Sequence, residues 1–222
     1  MMNTLLTSPQ FLAPPQAVEV DLTKGTLVDP ASAHVATTAS SIQKGAVACI
    51  QDNATKNGIC RMFRIQSSIG TNQYARYSIN FKLEFSVSSF PSGTDDIMIG
   101  LIFTDNDAAG YGNYITVMVG RDSAGNWLLR RTGTASAESE TPLASVPAYV
   151  MVHTLYRNNG VQAVIITAYD SAGTYINQSV LNLPLTMDAN SKLVVGLLLH
   201  DRAAVARTIS GIKLTYHWDK AQ

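Results

Sequence analysis

From Tyr77 the chain reads Y-S-I-N-F-K-L-E-F-S-V, with Tyr77, Ile79, Phe81, Leu83, Phe85 and Val87 apolar and every residue between them polar. Successive side chains of a strand point to opposite faces, so this alternation predicts a strand with one face in a core and one in solvent. Val18, Val20 and Leu22 alternate in the same way with Glu19 and Asp21, and Ile212, Leu214, Tyr216 and Trp218 with Lys213, Thr215 and His217. Both ends of the region are therefore expected to be strands with one wet face.

Between them lie "DIMIGLIFTDN", "NYITVMVG", "NWLLRR", "YVMVHTLYR", "GVQAVIITAYD", "YINQSVLNL" and "KLVVGLLLH", each short and bounded by Gly, Asn, Asp, Ser or Pro. Several are apolar on both faces, the pattern of central strands in a packed pair of sheets. No helical period of ten or more residues is legible. About ten strands with turn signals between them predict an all-β fold, an antiparallel two-sheet jelly-roll sandwich. Residues 30–45, rich in Ala, Ser and Thr, read as a loop with one short strand.

The tetrapeptide D-S-A-G occurs twice, as Asp122 to Gly125 and as Asp170 to Gly173, each time between two strand patterns. Asp supplies a side-chain acceptor at the start of a turn and Gly takes the left-handed conformation at its end. Two hairpin corners are expected. The flanks do not align, so no internal duplication is assigned.

The organisation predicted is an extended N-terminal arm at residues 1–16 and a single sandwich domain at residues 17–222. Phe11 and Leu12 stand before Pro14 and Pro15, which favour an extended path able to lie on a partner. The opening residues show no basic region followed by an apolar run, so no signal peptide is read, and no stretch reaches transmembrane length. The expectation is a chain made in a host cytoplasm, without membrane insertion.

With 222 residues, 46% hydrophobic and 14% charged, the chain can bury a sizeable core. Lys+Arg and Asp+Glu both number 16, so no global field draws it to nucleic acid. Cys49 and Cys60 enclose "IQDNATKNGI" and are compatible with a disulfide or with two ordinary thiols, depending on compartment.

A search for catalysis finds little. Glu138 and Glu140 are two apart, the spacing that puts acids on one face of a strand, but "TASAESETP" reads as a loop. Glu84 alternates with Lys82 on a polar strand face. His34, His153, His200 and His217 are scattered without zinc-motif spacing, and no nucleophile elbow, phosphate loop or dinucleotide fingerprint is present. No catalytic residue, metal site or cofactor is assigned.

The most ligand-like stretch is "TDNDAAGYGNY", where Asp105, Asn106, Asp107 and Asn113 offer oxygens and Tyr111 and Tyr114 offer rings on which a sugar can stack. Its spacing fails the EF-hand pattern, with Ala109 where an oxygen ligand is needed. An Asx-rich turn is the alternative. Trp127 and Arg130 complete the candidate glycan-contact set, and His200, Asp201 and Arg202 form a second, weaker polar loop.

The order of patterns from Tyr77 to Trp218 resembles the concanavalin-type lectin/glucanase sandwich, the jelly roll also found in laminin-G-like domains. The resemblance is carried by "YSINFKLEFSV" with "IMIGLIFTDN" and "NYITVMV", by "VHTLYRNNGVQAVIITAYDSAG", and by the closing "LVVGLLLHDRAAVARTISGIKLTY". It implies sugar binding or service as a structural and adhesion module. The family's hydrolase branch carries an acidic E-x-D-x-x-E strand motif, which this sequence lacks, and its legume-lectin metal cluster is denser than residues 105–113 provide.

Three functions follow, in order of preference. The first is a non-catalytic structural or adhesion protein of a large assembly, a bacteriophage head-decoration or tail component located in the virion, homo-oligomeric and able to contact a cell-surface glycan. The second is a free carbohydrate-binding lectin. The third is a glycan-cleaving enzyme.

Overall fold

The computed structural model describes residues 17–20, 26–28, 42–43, 46–49, 61–66, 77–90, 97–104, 114–133, 136–157, 160–182, 185–186, 194–201 and 207–220. In chain order the strands are β1 (Val18–Glu19), β2 (Thr26–Val28), β3 (Ile42–Gln43), β4 (Ala46–Cys49), β5 (Arg61–Gln66) and β6 (Tyr77–Glu84). After a 3₁₀ turn at Val87–Ser89 come β7 (Ile97–Thr104), β8 (Tyr114–Arg121), β9 (Trp127–Gly133), β10 (Ser136–Pro142), β11 (Tyr149–Arg157) and β12 (Gly160–Tyr169). The series closes with β13 (Tyr175–Leu181), β14 (Leu185–Thr186), β15 (Val194–Asp201), β16 (Arg207–Ser210) and β17 (Lys213–Lys220).

These pair antiparallel into two seven-stranded sheets. One runs β1-β17-β6-β11-β12-β13 with β14 also on β12, and the other β10-β9-β8-β7-β15-β5-β2. A small third sheet, β16-β4-β3, holds part of the stretch read as a loop with one short strand. The all-β antiparallel sandwich expected from the sequence is therefore present, with more and shorter strands than the ten expected.

The alternation in β6 works as predicted. Phe81 and Leu83 are buried, Lys82 and Glu84 face out, and the cross-strand partners Val150, Val152, Leu214 and Tyr216 continue the inward face. From the facing sheet, Ile97, Ile99, Leu101 and Phe103 of β7, Val117 and Val119 of β8 and Leu129 of β9 meet them. Phe81 and Phe103 touch edge to face across the layers, with centroids 5.9 Å apart, an arrangement that aligns ring edge with ring face. Val18 departs from expectation at 48% exposure, because β1 is a two-residue strand at the sheet edge with few neighbours to cover it.

The central strands β7 and β8 are buried on both faces, as their largely apolar text implied, and β9 is buried on both faces over Trp127 to Arg130. Met98, Ile102, Met118 and Leu128 point away from the intersheet core and are still at most 4% exposed.

Both D-S-A-G segments are hairpin corners. In the β8–β9 turn the Gly125 N–H donates to the Asp122 carbonyl and the Asp122 N–H to Asn126; the β12–β13 turn repeats this with Gly173, Asp170 and Thr174. Gly125 and Gly173 have φ of +86° and +81°, the left-handed region that a Cβ disfavours. The strands that leave the two corners are tied to each other across the layers: Arg131 Nε–H donates to Ser179 Oγ at 3.1 Å, linking β9 to β13.

Candidate functional site

Trp127 and Arg130 were expected among the glycan contacts, and the structure places both inside. Trp127 is 6% exposed, packed on Phe90 at 5.2 Å and Phe85 at 6.3 Å, with the Arg121 guanidinium 5.2 Å from its ring. The inward register of β9 turns the ring into the core. Arg130 is 3% exposed and pairs with Glu140 at 2.6 Å and Glu138 at 3.4 Å. These two acids lie on a strand, β10, rather than in the loop read from the sequence. They do share a face, and that face is directed at a guanidinium.

Tyr114 is half-buried at the start of β8. Asp105, Asn106, Asp107, Tyr111 and Asn113 lie outside the described residues, as do His34, Cys60, Arg202 and the arm residues Phe11, Leu12, Pro14 and Pro15. Cys49 and Asp201 close β4 and β15, paired across the strands with Arg207 and Ile97.

The outward face of the β17-β6-β11-β12-β13 sheet gathers aromatic and polar side chains that the sequence pattern does not single out together. Cross-strand pairing sets Glu84 beside Tyr149, Tyr149 beside Tyr169, and Tyr169 beside Tyr175. Tyr149 and Tyr169 stack at 5.1 Å with 10° between planes, and Tyr169 meets Tyr175 at 6.4 Å and 82°. Lys82 Nζ lies 4.4 Å from the Tyr149 centroid and donates to Glu84 Oε1 at 2.7 Å. Tyr175 is 53% exposed.

Two outward rows further along the same face, beyond Lys82 and Met151, Asn80 pairs with both His153 and His217. Two histidines that look scattered in sequence thus flank one amide. His153 Nδ1 and Asn80 Oδ1 meet in a hydrogen bond. At the sheet edge Lys213 Nζ lies 3.5 Å from Glu19. Lys82 and Lys213 each stand near an acid, so this part of the face is polar and aromatic with little net charge.

The signal for this face was in the text: Tyr169 and Tyr175 bracket the second D-S-A-G, and Tyr149 opens the preceding strand. Only the register reveals that all three share one side. Among the described residues no group of three or more His, Cys, Asp and Glu is arranged to hold a metal ion, and no helix is long and apolar enough to cross a membrane.

By sequence the chain matches no protein-family model and no curated protein. By structure it is similar to lectin-type sandwiches. The CBM2 module of the evolved Dit of Lactobacillus casei BL23 phage J-1 aligns at TM-score 0.52 and 7% identity, over 94% of this chain and 97% of that one. Basic winged bean lectin, solved with Tn-antigen, aligns at 0.52 and 8% over 94% and 100%. Peanut lectin aligns at 0.51 and 10% over 95% and 100%. These likenesses show the fold: a concanavalin-like, lectin-type jelly roll, as the sequence resemblance implied.

Proposed function

We propose that this chain is a non-catalytic sugar-recognising protein of a bacteriophage particle, a tail or head-decoration component that contacts a cell-surface glycan. The observation that carries the reading is the tyrosine row on an outward sheet face, flanked by the Lys82–Glu84 pair. Exposed rings beside fixed polar groups are the ordinary means of holding a sugar, whose C–H groups meet the ring and whose hydroxyls meet the polar rim. The likeness to a phage Dit module supports the particle assignment, and location in the virion as a homo-oligomer belongs to the same proposal. The likeness to the winged bean and peanut lectins supports a second reading, a free lectin.

Two measurements test this. The purified chain is screened on a glycan array and on intact bacterial cells, and binding lost in Tyr175→Ala supports sugar recognition. Light scattering on the full chain and on a variant lacking residues 1–16 separates the two readings. Assembly that depends on the arm supports a particle component; the same small oligomer in both supports a free lectin. Release of new reducing ends from a bound polysaccharide refutes the non-catalytic assignment.

A further inference from the structure

We infer that the sugar contact on this face is a single-ring site centred on Tyr175, which takes one terminal neutral pyranose rather than a run of sugars along a polymer. The inference rests on the sugar-recognising reading above and narrows it.

Three tyrosines in a row suggest a track. Their ring planes say otherwise. Parallel rings with centroids 5.1 Å apart are too close to lie side by side on the sheet, so Tyr149 and Tyr169 stand face to face. Each covers one face of the other. The second face of Tyr149 looks toward β6, where Lys82 Nζ sits 4.4 Å from its centroid. The second face of Tyr169 looks toward β13, where Tyr175 stands at 82° to it. Tyr149 and Tyr169 therefore offer only edges to the outside, and a pyranose stacks on a face.

Tyr175 differs on each count. Its plane is turned out of the row, it belongs to the sheet-edge strand β13, and more than half of its surface is open. Its neighbours are placed to orient a ligand rather than to extend it. A Cβ built on Gly173 would come 3.6 Å from the Tyr149 hydroxyl, so that hydroxyl stands beside the turn leading into Tyr175. Lys82 on β6 and Lys213 on β17 lie three and four strands from β13, and each stands near an acid, so neither is placed to pair with an acidic sugar at Tyr175. A site of one exposed ring buries little of its ligand and binds weakly on its own. Repetition over many copies in a particle raises apparent affinity by roughly 10²–10⁴ without new contacts.

The test uses the full chain and the neutral pyranoses glucose, galactose, mannose and N-acetylglucosamine, each free and as an oligomer series, titrated by protein-observed NMR. Tyr175→Ala, Tyr175→Phe and Tyr111→Ala are compared with the parent, and the unchanged dispersion of core resonances confirms that each variant is folded. The expected result is a tenfold or greater loss of affinity in Tyr175→Ala, retention in Tyr175→Phe, and equal affinity per molecule for a monosaccharide and its oligomers. Affinity that climbs with oligomer length overturns the single-ring site while leaving sugar recognition standing. So does binding that survives Tyr175→Ala and is lost in Tyr111→Ala. Absence of binding to every pyranose and oligomer overturns both the site and the reading beneath it.

Discussion

Arg130, 3% exposed on the face of its sheet turned away from the intersheet core, holds Glu140 of the neighbouring strand at 2.6 Å through Nη2 and at 2.9 Å through Nε. The two are direct cross-strand partners, so one charge pair ties the edge strand β10 to β9. Glu138 reaches the same guanidinium only at 3.4 Å and is 49% exposed.

The two acids should therefore behave differently. Glu140→Gln is expected to destabilise the fold by about 1–2 kcal/mol, less than a fully buried pair would lose because Glu140 is itself 44% exposed. Glu138→Gln should stay within about 0.5 kcal/mol of the parent. Urea unfolding midpoints measure both. Equal effects would mean that β10 is held by its backbone ladder and not by this pair.

Trp127→Ala should cost about 3–5 kcal/mol, since it removes the centre of the Phe85, Phe90 and Trp127 cluster and leaves Arg121 without its ring. Sugar affinity measured below the lowered melting point should be unchanged, because the ring is inside. A Trp127→Ala protein of parental stability would show that the ring is not a packing centre.

What the sequence revealed and hid follows from the period of each structure. Strand alternation is local, so β6 and β17 were legible residue by residue, and the D-S-A-G corners followed from turn chemistry that needs no distant partner. Register is not local. Nothing in the text around Trp127 says whether its first strand position faces the core, and nothing around Tyr149 says that it will stand beside Tyr169. Glu138 and Glu140 were misplaced in a loop because Ser, Thr and Ala beside them lack the apolar alternation of a half-buried strand; an edge strand needs little of it.

Glycines of two kinds should separate cleanly. Gly125 needs its positive φ but has open space where a Cβ would go, so Gly125→Ala should cost about 1–2 kcal/mol of backbone strain. Gly100 lies in β7 opposite Met118, where a Cβ would fall 2.0 Å from the Val117 carbonyl oxygen, a backbone atom that cannot step aside. Gly100→Ala is expected to yield no soluble folded protein, as read by expression and circular dichroism. A well-folded Gly100→Ala would place β7 and β8 further apart than their pairing implies.

The Asp122 carboxylate gives the β8–β9 corner a pH dependence of known sign. Slight desolvation raises its pKa, but hydrogen bonds donated by the Asn126 backbone and side chain, and by the Ala124 and Gly125 backbones, outweigh this and hold it below the ordinary value of 3.8. Both oxygens are engaged, Oδ1 by the Asn126 N–H at 2.8 Å and Oδ2 by its Nδ2 at 3.1 Å. A group whose folded pKa lies below its unfolded one contributes stability that is complete above the unfolded value and disappears as pH falls through the folded one. Asp122→Asn keeps one acceptor oxygen and removes the charge. The stability gap between parent and variant should therefore be constant from about pH 7 to 5 and close as pH falls below about 4. A gap that persists unchanged into that acid range would show that the ionised carboxylate has no share in the corner's stability.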